Sequence, residues 1–333
     1  MIKFVSMDDS GDLSVNETSE PPLEQGAMLI KTLYSEVCGT DVHLSHQQLR
    51  GVPYPIIPGH VSTGVVAKIK GDVYDINGKL IENDDVVTFL DVHETCNSCW
   101  YCLVAKETTR CPNRKVYGIT YSSDEGLLGG WSQFIYLKPG VKIIKLKSRE
   151  LAKTFIAGGC GLPTAIHAIQ RAQIKLGDTV LIQGAGPVGL MAGILAKLSG
   201  AFQLIMIGGP KLRLDIAVEC GIDEIINIDE YNSEKRLQQV INLTSGRGVD
   251  IVIEATGVPQ AISEGFDMLR DGGTYVVVGQ YTNAGNISIN PHEDINKKHL
   301  TIKGCWGSDF SHFYLSVKFI EKYKEKYPWH KII

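Results

Sequence analysis

Residues 179–198 read TVLIQGAGPVGLMAGILAKL, and this stretch decides the fold. It opens as an apolar run typical of a buried strand, turns at glycines in G-x-G-x-x-G spacing, and continues as a helical run. Such glycines let the backbone turn tightly and approach a pyrophosphate, which binds at the positive N-terminus of the helix. The pattern predicts a dinucleotide site whose residues are Gly184, Gly186, Pro187, Val188 and Gly189.

The rest of the chain falls into two regions with different patterns. After the glycine turn, predicted strands such as 203–207 and 251–254 alternate with helical segments, as in a parallel, doubly wound sheet. Before it, short β-type runs are punctuated by Gly and Pro, without long helical periodicity. A chain of 333 residues is also longer than one core usually organises. We therefore predict an α/β protein with a Rossmann domain at 161–306 and a β-rich domain formed by 1–160 with 307–333.

The charge and hydropathy patterns exclude several classes of function. Lys and Arg number 33 against 37 Asp and Glu, a net charge of −4, and no basic run breaks that balance. A nucleic-acid or anionic-membrane partner therefore has no electrostatic support. The N-terminus turns acidic within ten residues without an apolar signal-peptide core, and the longest apolar stretch, around 189–198, is too short to span a bilayer. We expect a soluble, cytoplasmic protein.

Four of the eight cysteines fall within sixteen residues at short, regular spacing. The pattern is Cys96-x2-Cys99-x2-Cys102-x8-Cys111. In a chain of this size without an export signal, such spacing favours a metal site over disulfides. Four thiolates close the tetrahedral shell of a zinc ion and leave no position for a substrate. We therefore predict a structural zinc ion that stabilises a loop with little core of its own.

The strand after the glycine turn ends without an acidic residue. An Asp or Glu there, about twenty positions after the glycines, usually binds the ribose 2′-hydroxyl of NAD. Here the strand ends in Gly208 and Gly209, and two cations, Lys211 and Arg213, follow within one helical turn. Either cation could pair with the 2′-phosphate of NADP, or both are solvated residues at the start of a helix. The sequence favours NADP over NAD.

Several motifs occur in one order along the chain. They are CGTDVH (38–43), PGH (58–60), the four-cysteine loop, GGCGLPT (158–164), QGAGPVGL (183–190) and EATG (254–257). In this order they resemble the zinc-dependent medium-chain alcohol dehydrogenases over nearly the whole chain. The resemblance implies a GroES-like fold for the β-rich domain. It also implies hydride transfer between a nicotinamide cofactor and a small alcohol, aldehyde or ketone.

A second, catalytic zinc ion is implied by the same resemblance. Its ligands would be Cys38, His60 and Cys160. Their two sulfurs and one imidazole leave a fourth position open for water or substrate. Thr40 would hydrogen-bond the substrate oxygen and begin a proton relay, which His43 would continue towards solvent. Asp41 would orient His60 from behind. Two zinc ions per chain are thus expected.

Three features depart from the family pattern. Val61 stands where that family commonly has Glu after the histidine, a carboxylate thought to assist ligand exchange at the zinc ion. The last gap of the cysteine loop, eight residues, is one residue longer than usual. The chain ends at Ile333, where members of the family continue across the catalytic domain. The zinc ligands themselves are unaffected, so we expect both metal sites to form.

Two other functions stay open on the sequence alone. A zinc-containing reductase of the same fold could act on an activated C=C bond in a biosynthetic pathway. A non-catalytic protein could keep the fold in order to bind a cofactor. An open zinc site with three protein ligands has little structural purpose, which favours an enzyme.

The segment 299–304, HLTIKG, alternates apolar and polar residues near the end of the predicted sheet. An exposed edge strand of this kind must be covered or paired. In the family that the chain resembles, a strand at this position pairs with its twin. The resemblance therefore implies a homodimer or homotetramer.

Overall fold

The computed structural model describes residues 1–332, which form two compact units. The first unit contains Met1–Cys160 and Asp309–Lys324. The second contains Gly161–Ser308 and the residues from Glu325 onwards.

The first unit is built on β-strands joined by irregular loops. Its strands are β1 (Ile2–Met7), β2 (Leu13–Thr18), β3 (Met28–Ser35), β4 (Ser62–Ile69), β5 (Val86–Phe89), β6 (Val92–Glu94), β7 (Lys115–Val116), β8 (Phe134–Leu137) and β9 (Ile143–Lys145), and its first helices are α1 (Gly39–Ser45) and α2 (Arg149–Gly158). Single turns of 3-10 or π helix cover Tyr101–Ala105, Thr108–Arg110 and Ser123–Glu125. Strands β8, β3, β4, β5 and β9 form, in that order, an antiparallel sheet. The predicted β-rich domain is confirmed.

The second unit is a six-stranded parallel sheet with helices between its strands. Its strands are β10 (Thr179–Gln183), β11 (Gln203–Gly208), β12 (Glu224–Asn227), β13 (Val249–Glu254), β14 (Leu269–Val277) and β15 (Thr301–Gly304), and its helices are α3 (Gly161–Ala172), α4 (Pro187–Leu198), α5 (Lys211–Glu219), α6 (Ser233–Leu243) and α7 (Gln260–Met268), with a π-helical turn at Pro291–Asn296. The strand order is β12-β11-β10-β13-β14-β15, and every pairing is parallel. Because the order reverses at β10, this is the doubly wound Rossmann arrangement that was predicted.

The two C-terminal helices divide between the units. α8 (Phe310–Tyr323) packs on α2 in the first unit. α9 (Trp329–Ile332) joins the second unit, where Lys331 pairs with Glu219 at 2.7 Å. The sequence prediction assigned all of 307–333 to the first domain. The residues from Glu325 onwards instead belong to the second unit, where α9 makes its contacts. Within residues 1–332, no helix has the length and apolar content needed to cross a membrane.

Close backbone contacts shape the glycine turn after β10. All five residues of β10 are buried, as expected for a central strand of a parallel sheet. Gly184 has a φ of +109°, which favours glycine, and Gly186 is the N-cap of α4. A Cβ at Gly189 would lie 1.9 Å from the carbonyl oxygen of Gly184, whereas a Cβ at Gly186 would meet open space. The turn packs tightly against its own strand and leaves the start of α4 accessible to an anion.

Two glycines of α4 should respond differently to alanine. Gly189→Ala would press a Cβ against the Gly184 carbonyl, so we expect a loss of about 1–3 kcal/mol in the free energy of unfolding. Gly193→Ala is the matched control, because its Cβ would meet mainly the end of the flexible Ile222 side chain. The helix propensity of alanine should there leave stability unchanged or raise it by up to about 1 kcal/mol. Urea unfolding followed by circular dichroism measures both, and equal losses would contradict the packing argument.

Candidate active site and metal centres

The four cysteines of the predicted zinc loop come together in the first unit. The sulfur atoms of Cys96, Cys99, Cys102 and Cys111 all lie within 4.8 Å of one another. The N–H of Cys96 donates to the Cys111 sulfur at 3.3 Å, and the Leu103 N–H donates to the Cys99 carbonyl at 3.0 Å. Hydrogen bonds with Ser98 lower the pKa of the Cys96 thiol to about 5, which favours the thiolate that a metal ion requires. This donor set fits a closed tetrahedral zinc shell.

A second cluster brings the three other predicted ligands together with one residue that the sequence did not single out. It consists of Glu36, Cys38, His60 and Cys160, whose ligand atoms all lie within 4.8 Å of one another. Four segments supply them: the residue after β3, the start of α1, the segment before β4, and the turn between α2 and α3. No spacing rule pairs residues this far apart. The antiparallel ladder of β3 and β4 brings two of these segments side by side.

The N-terminus of α1 holds part of the second cluster in place. Cys38 is the N-cap: its sulfur accepts from the Thr40 N–H at 3.3 Å, and its own N–H donates to Asp41 Oδ2 at 2.8 Å. The other oxygen of Asp41 accepts from the Gly59 N–H at 3.3 Å, next to His60. These hydrogen bonds of Asp41 go to main-chain N–H groups, so its effect on His60 acts through Gly59.

The two predicted relay residues lie on α1. Thr40 is half-buried in the first turn of the helix. His43 follows three residues later, and residues at that spacing share one side of a helix. The Nδ1 atom of His43 lies 2.5 Å from Oε1 of Gln48. Sequence reasoning missed Gln48, which has no motif of its own.

Burial and close charges shift the protonation of the second cluster. Burial raises the pKa of Glu36 to about 7, and the negative charge of Cys38 adds to this; burial also raises the pKa of Asp41 to about 6. A hydrogen bond with Cys160 lowers the pKa of Cys38. Burial opposes the charged form of His60, but the Cys38 thiolate outweighs it and raises the pKa of His60. The raised pKa values of Glu36, Asp41 and His60 favour their protonated forms, which reduces the repulsion between negative charges in the cluster.

The chemistry of the second cluster fits a zinc ion. Two thiols, an imidazole and a carboxylate are all donor types that zinc binds. The Nε2 atom of His60 lies 3.9 Å from the sulfur of Cys38, so this ring nitrogen faces the thiols of the cluster. The residues present are therefore suited to hold the metal that the sequence predicts.

The predicted cofactor residues lie at the carboxyl end of the parallel sheet. Gly184, Gly186, Pro187, Val188 and Gly189 form the turn after β10 and the start of α4, and Gly208 ends β11. A Cβ at Gly208 would lie 2.7 Å from the Cβ of Ala185 and 2.8 Å from its nitrogen. Packing therefore explains the glycine at this strand end, and its lack of a carboxylate is not by itself a sign of cofactor choice.

Charges of both signs surround the end of β11. Lys211 begins α5 and forms an exposed ion pair with Asp215 at 2.6 Å, and Arg213 is also exposed. A carboxylate oxygen of Asp229 lies 3.4 Å from the position that a Cβ of Gly209 would take. The sequence singled out the two cations but missed Asp229, which follows the neighbouring strand β12. Only the pairing of β11 with β12 brings it close.

A buried glutamate organises the loops at the same end of the sheet. Glu254 ends β13 and is fully buried. Its Oε1 accepts from the N–H groups of Thr256 and Gly257 and from the Thr256 hydroxyl, at 2.7 to 2.9 Å, and its Oε2 accepts from the Gly279 N–H at 3.1 Å. Glu254 thus joins the loop after β13 to the loop after β14. Such loops form the ligand crevice of doubly wound sheets, which gives the EATG motif a physical role.

Comparison with known protein families agrees with this site. The profile of the alcohol dehydrogenase GroES-like domain matches residues 24–148, and the profile described as zinc-binding dehydrogenase matches residues 187–322. The chain belongs to the zinc-dependent medium-chain dehydrogenase/reductase family. The GroES-like fold expected for the first unit is thereby confirmed.

Individual members of the family resemble this chain over most of its length. The chain is 31% identical to 5-exo-hydroxycamphor dehydrogenase of Pseudomonas putida, over 94% of this chain and 86% of that protein. It is 30% identical to L-threonine 3-dehydrogenase of Pyrococcus horikoshii, over 87% of this chain and 78% of that protein. The crystal structure of an alcohol dehydrogenase from Thermotoga maritima, 33% identical, matches with a TM-score of 0.92 over 99% of this chain and 90% of that chain. The chain described here is therefore a hydride-transferring oxidoreductase, as its sequence predicted.

Proposed function

We propose that this dehydrogenase oxidises a small secondary alcohol to a ketone, or catalyses the reverse reduction, with NADP(H) and a zinc ion at the second cluster. The observation that carries the proposal is the convergence of Cys38, His60 and Cys160 from distant segments into one group beside Thr40. The alcohol class is supported by two relatives named for a hydroxyl group on a secondary carbon, at the 5-position of camphor and the 3-position of threonine.

The reaction divides between a metal ion and the residues of this chain. A zinc ion held by the predicted ligands supplies a Lewis acid that acidifies an alcohol or polarises a carbonyl group. The Thr40 hydroxyl hydrogen-bonds the substrate oxygen, accepts its proton and passes its own proton on. His43 on the next turn of α1 carries that proton towards solvent, while Gln48 holds its Nδ1. Asp41 fixes the main chain on which the ligands lie.

The two clusters support the proposal of two zinc ions per chain. The four-cysteine group closes a tetrahedron and has no place for a substrate, so its ion stabilises the loop 96–111. Cys38, His60 and Cys160 fill only three positions, so their ion can interact with a substrate. The two ions therefore have different roles.

The preference for NADP over NAD rests on two cations at the start of α5. Lys211 and Arg213 are exposed beside the end of β11. Each can donate charge-assisted hydrogen bonds to a 2′-phosphate, worth about 1.5–3 kcal/mol. Asp229 opposes this preference, because its carboxylate lies beside Gly209 and would repel a phosphate. The balance between these three charged side chains sets the choice of cofactor.

The edge strand β15 supports self-association. It is the last strand of the sheet, it pairs with β14 on one side, and three of its four residues are exposed. One of them is Ile302, an apolar side chain that is 42% exposed. Because an exposed edge must be covered or paired, β15 would pair with its twin, as a homodimer or within a homotetramer.

The cysteines support a reducing compartment. Six of the eight belong to the two metal groups, and none of the eight forms a disulfide bond within residues 1–332. Thiols that serve as metal ligands must stay reduced, which the cytoplasm ensures. The cytoplasm is therefore the proposed location of the enzyme.

Substitution of the ligands should separate the two metal roles. Cys38→Ser, His60→Ala or Cys160→Ser should remove one zinc ion per chain and abolish turnover of secondary alcohols such as threonine and sorbitol. Binding of NADPH should persist, because its residues lie in the second unit. Cys99→Ser should instead lower the melting temperature, because the loop loses folding free energy supplied by the metal. Metal analysis and calorimetry measure both effects, and an unchanged melting temperature for Cys99→Ser would refute the structural role.

The ratio of kcat/KM for NADPH over NADH should exceed one. Lys211→Ala and Arg213→Ala should each lower this ratio by up to about 10- to 100-fold, the equivalent of the hydrogen bonds lost. Asp229→Asn should raise it by removing the opposing charge. Lys175→Ala is the matched control, an exposed cation before the start of β10 and so at the opposite end of the sheet. A ratio below one in the unmutated protein would mean that NAD is the working cofactor.

Sedimentation velocity should find a species of at least twice the 36.5 kDa chain mass. Ile302→Asp should weaken that assembly, because it places a charge on the exposed edge of β15. Ile225→Asp is the matched control: Ile225 is 36% exposed on β12, the opposite edge of the same sheet. An unmutated protein that sediments only as a monomer, or two variants that weaken the assembly equally, would rule out pairing through β15.

A further inference from the structure

We propose that the carboxylate of Glu36 is the fourth protein ligand of the zinc ion at the second cluster whenever no substrate is bound. The inference rests on the proposed function, which places a zinc ion on Cys38, His60 and Cys160. It goes further in one respect: the substrate-free protein has a closed metal shell, and Glu36 is the group that a substrate must displace.

The position of Glu36 within the cluster is the first support. One of its oxygens lies within 4.8 Å of each of the other three ligand atoms. Its Oε2 accepts from the Cys160 N–H at 2.8 Å, and its Oε1 accepts from the Cys160 thiol at 3.5 Å. A metal ion binds Cys160 as the thiolate, which has no proton to donate. Oε1 then loses its hydrogen-bond donor and is free to bind the same ion.

The backbone of Glu36 is fixed at both of its polar groups. Its N–H donates to the carbonyl of Val61 at 3.0 Å, which extends the β3–β4 ladder by one residue. Its carbonyl accepts from Nε1 of Trp131 at 3.3 Å. These bonds fix the main chain of Glu36, and the bond from the Cys160 N–H to Oε2 holds its carboxylate at the cluster.

The β3–β4 register places Glu36 opposite Val61. Ser35 pairs with Ser62, so the next pair outward is Glu36 with Val61. Directly opposite residues of an antiparallel pair project their side chains to the same face. Val61 follows the ligand His60 and cannot bind a metal ion, whereas Glu36 offers a carboxylate on that face from the neighbouring strand.

The chain also makes room for this carboxylate. Gly159, the residue before Cys160, has a φ of +43°. A Cβ there would lie between 2.3 and 2.6 Å from the carboxylate atoms of Glu36. Both the backbone conformation and the close approach favour glycine. Gly159 therefore lets the carboxylate and Cys160 occupy the same small space.

The carboxylate of Glu36 has no Lys or Arg partner in the part of the chain that the structure describes. Among the ion pairs of residues 1–332, none includes Glu36. A carboxylate without a cationic partner is unfavourable in a buried site. A direct bond to a divalent ion removes that cost.

Cobalt substitution tests the proposal, because the visible absorption of cobalt(II) reports its ligands. In Cys38→Ser protein only the four-cysteine site keeps its full ligand set, so subtracting that spectrum isolates the second cluster. The unmutated protein is compared with Glu36→Gln, with the charge-conserving Glu36→Asp, and with Glu24→Gln, an exposed glutamate, as the matched control. Two further measurements need no turnover: the rate of cobalt loss to EDTA, and the affinity of imidazole, which competes for the fourth position.

Glu36→Gln should change the cobalt spectrum and release the ion at least about tenfold faster. Imidazole should bind about tenfold tighter to Glu36→Gln than to the unmutated protein, if Glu36 occupies the fourth position about nine-tenths of the time. Glu36→Asp should give intermediate values, which keeps the test valid if the glutamine variant does not fold, and Glu24→Gln should match the unmutated protein. In the double variant Glu36→Gln/Val61→Glu, a carboxylate on the opposite strand should restore slow release.

Each contrary result has a distinct meaning. If Glu36→Gln has the spectrum, release rate and imidazole affinity of the unmutated protein, the role of Glu36 is refuted while the zinc site and the proposed function stand. If the unmutated protein has the same spectrum as Cys38→Ser, no cobalt binds at the second cluster, and both proposals fail.

Discussion

Two thiols and a carboxylate converge on one imidazole in the first unit, and like charges this close repel one another unless protons or a cation intervene. In the metal-free protein, protons intervene: burial raises the pKa of Glu36 to about 7, and a hydrogen bond with Cys38 raises the pKa of Cys160. A zinc ion bound to these ligands would take over the same role, so its binding would be linked to the release of those protons. The close approach of these four segments therefore depends on either protons or a metal cation at the cluster.

The two metal groups make different demands on the surrounding fold. The second cluster is held by main-chain hydrogen bonds, in which Cys38 caps α1 and Asp41 binds the Gly59 N–H, so its geometry is formed before a metal ion arrives. The four-cysteine loop has little regular structure, and it exposes apolar side chains such as Trp100 and Val104. The proposed structural zinc ion would supply the order of this loop. This difference agrees with the proposed roles, in which the second cluster acts in catalysis and the four-cysteine group stabilises its loop.

Local patterns in the sequence were sufficient for much of the fold and for the metal groups. The G-x-G-x-x-G turn and the four-cysteine pattern each lie within a single short segment, so each can be recognised from the sequence. The parallel sheet follows from alternating strands and helices. What the sequence missed depends on contacts between distant segments. Glu36 is one of 37 acidic residues, and only the β3–β4 register gives it a role. Asp229 requires the pairing of β11 with β12, and the grouping of α9 requires an ion pair between residues more than a hundred positions apart.

Gly208 illustrates how packing and function can explain the same residue. Its contact with Ala185 leaves no space for a side chain, so the proposed cofactor preference rests on the exposed side chains around the end of β11. Substitutions on an exposed surface usually change stability by less than about 0.5 kcal/mol, so this choice can be altered at little cost to the fold. The second cluster has no such freedom, because removing one of its groups leaves the others buried and unpaired. Cofactor preference in this dehydrogenase is therefore easier to change by substitution than its metal.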